Sequence, residues 1–142
     1  MQKVTGIGGF FFRSNNSGTL DEWYEQHLGV RKVGKEYEDG SWWQDEGPTV
    51  FGAESEDTQV GGPGHSWRIN FRVRDLDAMV AQLGAAGISV KVDPTIYPNG
   101  RFAHLRDPDN NSIELWEPAG ADLVRTPDQQ RNSQEQGVPP SA

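Results

Sequence analysis

The sequence contains no cysteine, which removes disulfides, thiolate zinc centres and a thiol nucleophile together. Basic residues are also scarce: 13 Lys and Arg stand against 21 Asp and Glu, for a formal charge of −8. A chain of that sign is unsuited to phosphate backbones, so nucleic acid is excluded as a general partner. Nothing approaches the roughly 20 consecutive apolar residues of a membrane helix. The opening run MQKVTGIGGFFF lacks a cleavage-site pattern, and a cytoplasmic protein with no membrane partner is expected. Large apolar residues are almost missing from the end, DQQRNSQEQGVPPSA from Asp128 onward. Such a stretch does not offset the entropy of ordering itself, so residues 119–142 are read as a polar tail, disordered or loosely attached. The remainder is long enough for one domain with a real core or for two small modules sharing one.

Two stretches have helical periodicity. In TLDEWYEQHLG, the side chains Leu20, Trp23, Tyr24, His27 and Leu28 recur at i, i+3, i+4, i+7 and i+8, with Gly29 placed to end the helix. In DLDAMVAQLGAAG, Leu76, Met79, Val80 and Leu83 repeat the pattern between Asp75 as N-cap and Gly87 as stop. A strand-like run precedes each: GIGGFFFRS before the first and SWRINFRVR before the second. Short strand-like pieces follow each helix, RKVGKEYE, SWWQ and TVFGAE in the first half and SVKV, FAHLRD and SIELWE in the second, separated by turn signals. Both halves thus read strand, helix, three strands, an internal repeat of architecture in an α+β chain. The first module is assigned to residues 1–60 and the second to 61–118. Laid over each other by the strand entering each helix, the halves match Asn16 with Asp75 as helix caps.

A duplicated βαβββ pattern, with WYEQHLGV in the first half, FRVRDLDAMVAQLGAAG in the second and GRFAHLRDPDNNSIELWEP at the end, resembles the vicinal oxygen chelate superfamily. That group includes glyoxalase I, extradiol dioxygenases and bleomycin-resistance proteins. The resemblance covers residues 3 to 118, and DPDNNSIELWEP is its most distinctive part. It implies a curled mixed sheet from each module, helices outside, and a cup-shaped cavity.

Alternation then says which side chains face the cup. With a turn centred on Asp109, Arg106 lies opposite Ser112, Leu105 opposite Ile113, His104 opposite Glu114, Ala103 opposite Leu115 and Phe102 opposite Trp116. The odd face is wholly apolar and belongs against helices. The even face carries Phe102, His104, Glu114 and Trp116, apolar walls with a few polar groups, as a ligand cavity requires. In the strand before the second helix, Trp67, Ile69, Phe71 and Val73 form the core face, leaving Arg68, Asn70 and Arg72 on the cup side. The overlay adds Phe11 and Arg13 from the first half. Arginines among aromatics in an acidic protein favour an anionic or carbonyl-bearing small ligand.

The enzymes resembled hold a divalent metal with His and Glu side chains, typically four. Carried over position by position, the first-strand histidine falls on Gly9, the histidine of the fifth strand on Arg68, and the late glutamate of the first module near Phe51 or Gly52; only Glu114 matches. One carboxylate does not hold a catalytic metal, and a pocket arginine repels a cation. Even with His104 added the count is two, short of a secure site, so no cofactor is expected, with a divalent metal held by His104 and Glu114 as the alternative. The His104–Glu114 pair has two readings: a satisfied polar pair that keeps the cup's shape, or a proton-transfer couple. Two functions follow. One is a ligand-sequestering protein of the bleomycin-resistance type; the other is a glyoxalase-like lyase, isomerase or dioxygenase using His104 and Glu114. A homodimer is expected, as proteins of this resemblance often pair.

Overall fold

The structure, a computed structural model, describes residues 1–130. The chain divides into two compact units, Met1–Trp42 and Trp43–Ala142.

The first unit is organised by α1, Ser17–Leu28. Asn16 caps it, its side chain accepting from the Thr19 amide, and Gly29 closes it in the left-handed region at φ 72°, where a side chain would be strained. Leu20 and Tyr24, four apart on one stripe, are the buried residues of the helix. The Tyr24 ring meets Phe12 and Trp23 edge-on, at centroid distances of 6.0 and 5.2 Å. Beyond the helix, Glu25 accepts from the Lys32 amide at 2.9 Å, tying the outgoing chain back to the last turns.

The strands expected in the first half are not formed: among the described residues, all strands lie between Ile69 and Pro118. A ladder is a relation between two segments, so strand-like composition yields extended backbone but no sheet unless a partner edge is supplied. RKVGKEYE is moreover interrupted by a 3-10 turn, Tyr37–Asp39, whose Asp39 carboxylate accepts from the Glu36 amide at 3.1 Å. That local bond takes the backbone out of any ladder.

In the second unit the expected order of strand, helix and three strands is observed. The strands are β1 (Ile69–Arg72), β2 (Lys91–Val92), β3 (Gly100–Arg106) and β4 (Ser112–Pro118), and α2 (Leu76–Ala85) follows β1. They form an open four-stranded mixed sheet ordered β1-β4-β3-β2, with β1 parallel to β4 and the other neighbours antiparallel. The expected hairpin register holds at all five pairs from Arg106↔Ser112 to Phe102↔Trp116. Its turn is built by Asp107, whose Oδ1 accepts from the amides of Asp109 and Asn111, each at 2.9 Å. Asn110 takes the left-handed position at φ 65°, which its short polar side chain tolerates.

One sheet face is the core. Ala103, Leu105, Ile113 and Leu115 are buried, together with Leu76 and Leu83 of α2, and α2 packs on β3 and β4. Each fully buried leucine or isoleucine contributes about 1.5–3 kcal/mol relative to exposure. Asp75 caps α2 by accepting from the Ala78 amide at 2.9 Å, and Glu117 of β4 accepts from the Leu76 amide at 3.0 Å. A strand carboxylate thereby anchors the helix N-terminus where its dipole is positive. No helix among the described residues is long and apolar enough to cross a membrane. The expected tail continues through a 3-10 turn, Gly120–Leu123, and its final part lies outside the described residues.

Candidate functional site

With the odd face buried against α2, the even face of the sheet is left for chemistry. Register places Asn70, Glu114, His104 and Lys91 in one row across the four strands. Neighbouring strands lie about 4.8 Å apart, so side chains along such a row are within bonding reach. Asn70 Nδ2 donates to Glu114 Oε1 at 2.8 Å, and His104 Nε2 meets Glu114 Oε2 at 2.7 Å. An ionised carboxylate only accepts, so Nε2 is the donor in this contact, and in the neutral imidazole Nδ1 is then the bare nitrogen. The Arg68 guanidinium stands 3.9 Å from Glu114 Oε1, an ion pair too long to be a hydrogen bond. The Glu114 side chain is 14% exposed and that of His104 39%, so the carboxylate is sheltered beneath the imidazole, which reaches the surface.

A shallow concavity of about 590 Å³ lies over this face, lined by Arg68, Lys91, His104, Arg106 and Ser112 of the sheet side and by Gly61 and Gly62 of a loop. Arg106 holds that loop: its Nη1 donates to Gly61 O and to Asn110 O, both at 3.0 Å. Gly61 and Gly62 have φ of 76° and 93°. A Cβ on Gly61 would stand 2.2 Å from Trp67 O, and one on Gly62 2.8 Å from Arg106 Nη2, so the wall approaches this closely because both residues are glycine. Asp93 also lines the concavity, but Thr95 N–H and Tyr97 O–H, both at 2.9 Å, occupy its oxygens. Those two hydrogen bonds, the backbone one foremost, hold the Asp93 carboxyl below its ordinary range, and the same contact raises Tyr97.

The remaining expected site residues are distributed differently. Arg72 is committed to segment 45–49, donating to Asp45 O at 2.6 Å, Pro48 O at 2.7 Å and Thr49 Oγ1 at 3.1 Å. Trp116 is buried, its indole N–H donating to Asn99 O at 2.8 Å and its ring stacked on Phe102 at 6.3 Å with planes 3° apart. Phe102 and Trp116 therefore form a stacked wall at the far end of the face. Phe11 and Arg13 belong to the first unit, where Phe11 is 92% exposed. Arg101 pairs with Asp77 of α2 at 3.0 Å, which lowers the Asp77 carboxyl and raises the guanidinium, the hydrogen bond being the larger cause for each.

Two residues of the concavity, Lys91 and Arg106, are not among the site residues expected from the sequence. Arg106 was legible, since it shares the even face with His104 in the same strand. Lys91 depended on the β2–β3 register, which the long loop between them conceals.

Whether the face fits the divalent metal of the resembled enzymes is a question of donors. Among the described residues no three His, Asp or Glu side chains gather where an ion would sit. Glu114 has one oxygen on Asn70 and the other on His104, with a guanidinium beside them. Among the described residues the face therefore offers at most two donors, which does not fit a four-ligand centre.

The model of the Glyoxalase/Bleomycin resistance protein/Dioxygenase superfamily matches residues 19–115. Among solved structures, TnmS3, an antibiotic binding protein from Streptomyces sp. CB03234, is 19% identical, with 84% of this chain and 100% of that one covered at a TM-score of 0.52. It supports the fold alone. A glyoxalase/bleomycin resistance protein from the same Streptomyces is 40% identical over 39% of this chain and 48% of that one, at a TM-score of 0.33. The fosfomycin resistance protein FosX from Listeria monocytogenes is 23% identical over 50% and 59%, at 0.36. No curated protein matches the chain.

Proposed function

The chain belongs to the glyoxalase/bleomycin resistance protein/dioxygenase superfamily, and from that premise we propose that it binds a small organic molecule on the even face of its sheet, without the superfamily's metal. The observation that carries the reading is the Arg68–Glu114 ion pair. Where the resembled enzymes bring histidine and glutamate to a divalent ion, this chain brings a guanidinium to a carboxylate whose oxygens already accept from Asn70 and His104. A guanidinium beside Glu114 brings positive charge where an ion would bring it and repels a divalent cation. TnmS3, a structure of the same fold, is an antibiotic binding protein, which accords with sequestration as the task.

A second reading is favoured by one contact. His104 lines the concavity while Glu114 holds its Nε2–H, the arrangement that presents a basic nitrogen to a bound molecule. A lyase, isomerase or dioxygenase type of task on an oxygenated substrate would use that nitrogen for proton transfer, with Arg68 opposite developing negative charge.

We also read the chain as a homodimer working in the cytoplasm. Phe11, Trp43 and Phe51 are each about nine-tenths exposed in segments of strand-like composition, and a second copy is the simplest cover for such side chains.

Equilibrium dialysis of the full chain against a small-molecule extract, followed by mass spectrometry, separates these readings. A molecule retained and recovered unchanged supports sequestration. One converted in a manner lost with His104→Ala supports the proton-transfer reading, and retention of nothing contradicts both.

A further inference from the structure

We infer that the molecule bound by this face is an organic oxyanion, anchored by Lys91 and Arg106 together with Arg68. The inference rests on the small-molecule reading above and adds the ligand's charge and the residues that select it. Neither Lys91 nor Arg106 contacts Glu114 in the described structure, so their charges are not explained by the His104–Glu114 pair.

Donors outnumber free acceptors around the concavity. Its cations are Arg68, Lys91 and Arg106, from three different segments of the chain. Its carboxylates are occupied. Asp93 accepts from Thr95 and Tyr97, and Glu114, at the floor, accepts from Asn70 and His104. The cations retain their capacity. Among the described residues no hydrogen bond or ion pair is made by the Lys91 ammonium. Among the described residues Arg68 makes only the 3.9 Å ion pair, and Arg106 uses Nη1, with no acceptor on Nε or Nη2. Ser112, which pairs with Arg106 across the hairpin, adds a hydroxyl to the lining.

This surplus of donors lies in a protein of net charge −8, where scattered surface cations would be expected to face carboxylates. An oxyanion accepts from several such donors at once, and a guanidinium edge engages it through two parallel bonds. A neutral carbonyl satisfies fewer of them. Half-buried Phe102, next along the same face from His104 and backed by the buried Trp116, offers apolar surface beside the cations.

The test uses the isotope-labelled full chain, with benzoate, its neutral isostere benzamide, and inorganic phosphate titrated separately while backbone amide resonances are followed. Benzoate is expected to shift residues 61, 62, 91, 104, 106 and 112 saturably, at least about tenfold more tightly than benzamide, the difference one charge-assisted hydrogen bond makes. Affinity should fall as salt is raised. Lys91→Met, an exposed position where folding is readily verified from the same spectra, should weaken benzoate about tenfold and leave benzamide unchanged. Lys35→Met, in the first unit, should alter neither. Equal binding of benzamide and benzoate would overturn the charge inference and leave the small-molecule reading standing. Binding of phosphate without benzoate would reduce the face to a counter-ion site and overturn it. Failure of all three probes to move these residues would overturn both.

Discussion

Replacing Glu114 by Gln tests the row that organises the even face, and the size of the effect follows from its contacts. The substitution keeps shape and leaves Oε1 able to accept from Asn70, now as a neutral oxygen. It also turns an NH₂ toward His104 Nε2, which itself carries a proton in the wild type. Two hydrogen bonds to an ionised acceptor, at 2.8 and 2.7 Å, are thus weakened, each by about 1 kcal/mol on the difference between charged and neutral bonds. The Arg68 ion pair is 36% exposed on the arginine side and contributes about 0–1 kcal/mol. The sum is about 2 kcal/mol of stability, or about 7 °C in Tm for a chain of this size. Urea unfolding measures the first and calorimetry the second. The imidazole supplies an independent signal: relieved of its acceptor, His104 should move its proton to Nδ1 and present Nε2 to the glutamine, visible in long-range ¹H–¹⁵N spectra of the ring. A Glu114→Gln chain within about 0.5 kcal/mol of wild type, with unchanged ring nitrogens, would refute the row as described.

Leu115→Ala, at a fully buried position between α2 and the sheet, should cost about 2–5 kcal/mol in urea unfolding, because the surrounding side chains only partly refill the space. Gly61→Ala should be destabilising and loosen the concavity's wall, since its Cβ would meet a backbone oxygen at 2.2 Å; loss of the amide signals of residues 61 and 62 from their wild-type positions reports it. Acid titration should show the Asp93 turn. Its carboxyl is held below the ordinary range by Thr95 and Tyr97, so the folded state binds that proton less tightly than the unfolded state. The stabilisation is therefore full above the unfolded value of about 3.9 and is lost as pH falls through the lower folded value. Asp93→Asn should flatten the pH dependence of stability in that acid window, and an unchanged slope would contradict the assignment.

The second unit was legible because its signals are local and mutually consistent. Asp107, Pro108 and Asn110 define a turn of fixed length, and turn length sets hairpin register, so the opposition of His104 and Glu114 followed from counting. Asp75 and Gly87 bounded α2 by the chemistry of helix ends. The parts that escaped are set by contacts far apart in sequence. Arg72 alternates onto the even face as expected, yet its destination is three oxygens of segment 45–49, which no periodicity announces. Trp116 has the composition of a ligand contact but spends its indole N–H on Asn99. In the first half, GIGGFFFRS and TVFGAE have strand composition, and composition does not name the edge with which a strand pairs.

The account turns on a guanidinium, rather than a metal ion, facing Glu114. Elemental analysis of the full chain after incubation with nickel, zinc, manganese or iron(II) and gel filtration addresses this directly. The account predicts far less than one equivalent of any metal per chain, with the His104 ring resonances unmoved. One equivalent retained, and released when Glu114 is replaced by Gln, would contradict it.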